Sequence, residues 1–140
     1  MLHDGLRGPR IKDVFGGRFY EPEFSNVVLD VHRYQCFTDD LKALDAAGNV
    51  RHAEGPLAEE LRTLQGSVYW TICGEWSLGT GGDRTDAERQ AFFDAQIKAF
   101  ENCQGFFFWS YKIESGNPAW SLRDAVEKGL KLGTQNSNTP

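Results

Sequence analysis

No run in this 140-residue sequence approaches the roughly 20 consecutive apolar residues that crossing a bilayer requires. The opening Met1-Leu2-His3-Asp4 also lacks the apolar core of a signal peptide. The chain therefore reads as soluble, with no membrane partner. Basic charge is in short supply: 15 Lys and Arg stand against 20 Asp and Glu, for a formal charge of −5 and a pI near 5.2. Those basic residues are scattered among acidic ones, so the electrostatic footprint of a nucleic-acid binder is missing. Cysteine is limited to Cys36, Cys73 and Cys103, an odd number without Cys-x-x-Cys spacing, which suggests neither a complete disulfide framework nor a zinc site. The expectation is three buried free thiols. His32 and His52 have no partner at metal-ligand spacing, so neither a metal nor another cofactor is indicated.

What the chain does have is 40% hydrophobic content, enough for one domain with a sizeable core. Val27-Val28-Leu29-Asp30-Val31 is short, apolar and β-branched, and reads as a buried strand. Comparable runs lie at 67–73 and, after the turn signal Gln104-Gly105, at 105–111. Continuous apolar runs of this kind suit parallel strands covered on both faces. Between them lie helical patterns. In the clearest, Thr85-x-x-Glu88 forms a capping box ahead of Ala91, Phe92, Ala95, Ala99 and Phe100. A weaker helix is expected at about 56–64 with Pro56 in its first turn, and a last one from near Ser121 through Leu122, Ala125, Val126 and Leu130. Alternating strands and helices argue for an α/β fold of parallel βαβ units. The polar residues 133–140 read as a disordered tail.

Chemistry is expected where parallel strands end, because their carboxyl ends face one side. Strand one leads into His32-Arg33-Tyr34-Gln35-Cys36-Phe37, strand two into Cys73-Gly74-Glu75-Trp76-Ser77 and strand three into Trp109-Ser110-Tyr111-Lys112. A carboxylate beside a Tyr hydroxyl and a His can serve as an oriented nucleophile or base. An indole offers an apolar platform for the C–H face of a sugar. Carbohydrate chemistry fits this set best. Each residue also has a plainer reading: Glu75 as a helix cap, His32 as a hydrogen-bonded core histidine, Trp109 as core beside Phe106, Phe107 and Phe108. His32 and Tyr34 form one signal, since alternate strand residues share a face. Trp70, Trp76 and Trp120 read as packing residues, and Asp39-Asp40 and Glu59-Glu60 as solvated helix faces or starts. His3 with Asp4 reads as a pocket-rim pair or a severed strand end.

Leu2-His3-Asp4-Gly5, Val28-Leu29-Asp30-Val31-His32-Arg33-Tyr34-Gln35-Cys36-Phe37, Gly74-Glu75-Trp76-Ser77 and Phe108-Trp109-Ser110-Tyr111-Lys112 resemble, in this order, the fungal exo-β-1,3-glucanases of glycoside hydrolase family 5. The likeness continues into Pro118-Ala119-Trp120-Ser121-Leu122 and runs from about His3 to about Gly129. It implies a (β/α)8 barrel that cleaves β-glucosidic bonds with retention, in a family that is secreted or wall-associated. By position, Glu75 matches the nucleophile, His32 and Tyr34 match residues lining the sugar subsite, Trp109 matches a stacking platform, and Phe37 matches an aromatic clamp at the pocket mouth. The sequence departs from the pattern at Val31 and Arg33, where the family often carries histidine; Arg33 either changes the pocket's charge or points away from it.

A (β/α)8 barrel typically needs about 250 residues, so the resemblance implies a partial barrel: roughly strands five to eight with their helices, over residues 1–132. The first four strands and the family's Asn-Glu motif, which carries the acid/base, have no counterpart here. Retaining hydrolysis uses two carboxylates roughly 5–5.5 Å apart. Glu114 is a remote candidate for the second. Opening the barrel is expected to leave two sheet edges unpaired and to expose residues such as Phe37 and Trp109. Self-association, or pairing with a missing N-terminal half, would cover them. Two function classes follow: a retaining β-glucan hydrolase carrying the nucleophile but lacking its acid/base, or a catalytically silent remnant that binds glucan or a partner.

Overall fold

A computed structural model describes residues 1–5, 23–65 and 70–133. Four parallel strands, β1 (Leu2–His3), β2 (Val28–Arg33), β3 (Trp70–Trp76) and β4 (Gly105–Phe108), form one sheet in sequence order. Helices α1 (Asp39–Lys42), α2 (Ala46–His52) and α3 (Ala58–Gln65) connect β2 to β3. Helix α4 (Asp86–Phe100) connects β3 to β4, and α5 (Leu122–Glu127) follows β4. The sequential order of the parallel strands, with helical crossovers from β2 to β3 and from β3 to β4, is that of a partial (β/α)8 barrel, as expected.

Strand alternation explains the layering. Leu29, Val31, Thr71, Cys73 and Trp76 are all buried, and α3 packs on β3 and on α4. Trp76 is the hub of this layer, with ring centroids 5.6 Å from Phe93 and 4.9 Å from both Phe100 and Phe108. The opposite face carries Trp70, which is 59% exposed, so the packing role expected for it is corrected: among the described residues no second layer covers the indole on that side.

The capping box forms as the sequence indicates: the Thr85 hydroxyl accepts from the Glu88 N–H and the Glu88 carboxylate accepts from the Thr85 N–H. Ser121 caps α5 by accepting from the Asp124 N–H. Pro56 is different. It lies within a continuous helical stretch, in a π turn spanning Ala53–Leu57 between α2 and α3, and not in a first turn. The wider turn gives the proline ring room against the preceding carbonyl, where an α-helix would clash. Strand β4 stops at Phe108, short of the expected 105–111: Trp109 N–H still donates to Trp76 O, but Ser110 N–H donates to Trp120 O and Ser110 O accepts from Leu122 N–H. Cys73 is buried, whereas Cys36 and Cys103 are half-buried, which corrects the expectation of three buried thiols; all are free. Residues 67–69 of the second expected strand, and 134–140 of the expected tail, lie outside the described residues.

Candidate active site

Glu75 reaches the open face of the sheet through a register slip. Val31 pairs with Cys73, but His32 pairs with Glu75, so Gly74 is an extra residue in β3 with no partner on β2. Strict alternation from Trp70 and Ile72 would put Gly74 and Trp76 on the open face and turn Glu75 under the helices. The bulge reverses that phase. Trp76 goes into the core, and Glu75 stands beside His32.

Only glycine fits the bulge. A Cβ at position 74 would lie 2.0 Å from Asp30 Oδ1 and 2.7 Å from its Cγ, because the Asp30 carboxylate lies directly over the Gly74 backbone. Gly74→Ala is therefore expected to destabilise the fold by about 1–3 kcal/mol, the usual range for overpacking, and Asp30→Ala in the same chain to recover most of that. Urea denaturation of the single and double variants reads both effects. Equal loss in the two would show that the clash is not the cause.

Two groups converge on the Glu75 carboxylate among the described residues. The Tyr34 hydroxyl donates to Glu75 Oε2 at 2.7 Å, and His32 Nδ1 lies 3.2 Å from the same oxygen. Oε1 makes no hydrogen bond among the described residues. Tyr34 is held in turn by rings: Phe37 meets it edge-on at 5.1 Å and Trp120 stacks on it at 5.6 Å. Its loop is fixed from below, where buried Asn49 donates to Gln35 Oε1 at 3.0 Å and accepts from Arg84 at 2.9 Å. Burial, then the hydrogen bond to Glu75 and its charge, push the Tyr34 phenol well above its ordinary value. The folded state thus holds this proton more tightly than the unfolded chain does. The associated stability is intact below about pH 10 and falls as pH rises toward the folded-state value. In a spectrophotometric titration one of the four tyrosines should ionise late. Glu75→Gln should bring that step down and Tyr34→Phe should delete it. An unchanged titration in Glu75→Gln would contradict the assignment.

Arg33 resolves to one of its two alternatives, pointing away from the pocket. Its guanidinium lies under the helices, donating to Glu60 Oε1 at 2.6 Å and to Asp4. Burial opposes its charge, but Glu60 and Asp4 outweigh that and raise its pKa. Glu60 is consequently an ion-pair partner and not simply a solvated helix face, and Asp4 is buried and not at a rim. His3 separates from Asp4 by alternation and meets the His32 ring at a centroid distance of 4.2 Å.

Phe37 is 57% exposed within the Tyr34 cluster, and Trp109 is 53% exposed just past the end of β4, where the Trp109–Ser110 peptide is cis. Trp120 is the aromatic that sequence reasoning assigned to packing alone. It does pack, since a Cβ at Gly79 would meet its ring at 2.7 Å, but it also carries Tyr34 and Phe37 on its face. Its place inside the resembling segment Pro118-Ala119-Trp120-Ser121-Leu122 was the available signal. Glu114 lies in the turn after β4, and no hydrogen bond or ion pair links it to Glu75 among the described residues.

Comparison with known proteins finds relatives of the expected kind. The chain is 26% identical over 172 residues to a glucan 1,3-beta-glucosidase of Blumeria graminis, covering 92% of this chain and 38% of that protein. It is 30% identical over 107 residues to a probable glucan endo-1,6-beta-glucosidase B of Neosartorya fischeri, covering 69% of this chain and 27% of the relative. Among solved structures, the crystal structure of rutinosidase from Aspergillus niger superposes with a TM-score of 0.63 at 19% identity, over 84% of this chain and 33% of that one. No protein-family model matches. The chain spans about a third of the length of the curated relatives it matches. The resemblance to β-glucosidases expected from the motifs is borne out, as is the partial α/β barrel.

Proposed function

We propose that this chain carries the nucleophile side of a retaining β-glucoside-cleaving site acting on β-1,3-glucan or its oligosaccharides, with Glu75 as the attacking carboxylate. The observation that carries this reading is the 2.7 Å hydrogen bond from Tyr34 to Glu75 Oε2. It anchors one oxygen and leaves Oε1 for the anomeric carbon. Attack forms an ester bond from Oε1 to that carbon as the glycosidic C–O bond breaks, and the leaving oxygen departs with a proton from an acid. Water later cleaves the ester with the same acid acting as base. In this reading the acid comes from a separate segment or chain that completes the barrel. Phe37 and Trp109 present rings to the sugar, and His32 and Tyr34 line its subsite.

A 2-fluoro-glucoside with a dinitrophenolate leaving group tests this directly, because that leaving group departs without an acid. Intact mass and peptide mapping should show a single adduct on the peptide containing Glu75. A folded sample, mixed with the complementary barrel half and still unlabelled, would sink the catalytic reading. The second reading, glucan binding without turnover, draws on the exposed rings of Phe37 and Trp109. Under it, glucan affinity would be unaffected by Glu75→Gln and hydrolysis would never accompany complementation.

A further inference from the structure

The proton inventory around Glu75 gives a role to a residue outside the nucleophile's own contacts. The Gly5 backbone N–H, which can only donate, points at His3 Nδ1 at 3.1 Å. His3 Nδ1 is therefore an acceptor, and the neutral ring carries its proton on Nε2. That Nε2 lies 3.2 Å from His32 Nδ1, which must then accept. The remaining His32 nitrogen, Nε2, faces the buried Asp30 carboxylate at 3.6 Å, a setting that favours a proton there. Polarity runs consistently from Gly5 through His3 and His32 toward Asp30.

One contact does not fit that chain. Glu75 Oε2 also lies 3.2 Å from His32 Nδ1. With the His3 proton directed at Nδ1, the carboxylate and the imidazole lone pair face each other as two acceptors. His3 and Glu75 thus compete for a single nitrogen, and His3 comes with a donor fixed by the backbone.

We propose that His3 is a positioning residue that holds His32 in its Nε2–H tautomer, keeping Nδ1 free of a proton and so leaving Tyr34 as the sole hydrogen-bond donor to the Glu75 carboxylate among the described residues. An Nδ1–H would give Oε2 a second hydrogen bond, draw negative charge off the carboxylate and blunt Oε1 as a nucleophile. A bare Nδ1 does the reverse. Its repulsion of Oε2 is felt while Glu75 is anionic and falls once the ester forms, so it favours the step that consumes the charge. Among the described residues, the charged and titratable groups facing His32 are Asp30 on its own strand, Glu75 on β3 and His3 on β1. The kinetic consequence rests on Glu75 being the nucleophile, whereas the proton arrangement does not.

Two measurements separate these. With only three histidines, ¹⁵N NMR of the labelled full chain can assign His32 directly. The native protein should show a pyrrole-type Nε2 and a pyridine-type Nδ1. His3→Phe, which keeps a ring but removes the donor, should shift His32 toward a protonated Nδ1, and His3→Gln, which restores an N–H, should reverse much of that shift. In parallel, fluoroglucoside labelling should slow about tenfold in His3→Phe, on the scale of one lost hydrogen bond, and recover in His3→Gln. A protonated Nδ1 in the native chain, or a His32 spectrum unmoved by His3→Phe, overturns the proposal. The expected spectra with no labelling in any variant would support the relay and count against the nucleophile reading instead.

Discussion

Glu75→Gln is expected to abolish covalent labelling and, in the complemented protein, to lower turnover by on the order of 10⁴-fold or more, as loss of a nucleophile commonly does. The substitution is close to isosteric, and the amide oxygen can still accept from Tyr34. What disappears is the negative charge that attacks carbon. Folding should be nearly unaffected, since Glu75 is on the open face and contributes nothing to the buried layer of Trp76, Phe93 and Phe100. Thermal melting of the variant within a few degrees of the parent, together with complete loss of label, is the expected pair of results. Label that survives in Glu75→Gln would place the reacting carboxylate elsewhere.

The neighbouring residue should behave in the opposite way. Trp76→Ala is expected to cost about 3–5 kcal/mol, the range for emptying an aromatic site in a core, against a total stability of roughly 5–15 kcal/mol for a domain. Trp76 is 2% exposed and touches Phe93, Phe100, Phe106 and Phe108, so its removal leaves a cavity bounded by stiff rings with little scope for collapse. The denaturation midpoint should fall sharply, and much of the chain should be unfolded at 37 °C. A loss below about 1 kcal/mol would mean that the helix layer does not close over β3 as described. That Glu75 affects chemistry and Trp76 folding, and not the reverse, is the direct consequence of the bulge at Gly74.

Much of this was legible in the sequence, for reasons that differ by element. The capping box at Thr85 and the cap at Ser121 are local hydrogen-bond patterns, decided by side chains three residues apart. The strands announced themselves as short apolar runs because both the helix-covered face and part of the open face are apolar. Pro56 misled because a helix start and a π turn both tolerate a proline, and only packing of α2 and α3 as one unit distinguishes them. Trp70 was misjudged, and the ion pair of Glu60, which does stand at a helix start, was not foreseen, for the same reason: composition does not say which face a second layer covers, or which buried cation a surface-looking carboxylate will meet.

The sequence by itself determined the alternation of elements, the caps, and the identity and order of the groups at the strand ends, since each depends on residues close together in the chain. Tertiary structure decided where those groups point. Register belongs to a pair of strands, so the slip that sets Glu75 beside His32, buries Trp76 and demands glycine at 74 exists only once β2 lies against β3. The pairing of β1 with β2 likewise brings Asp4 to Arg33 and His3 to His32 across 29 residues of sequence, and the packing of α3 brings Glu60 to the same guanidinium. A one-dimensional pattern carries periodicity, but the phase between two periodic segments is fixed by contacts that form only in the folded chain.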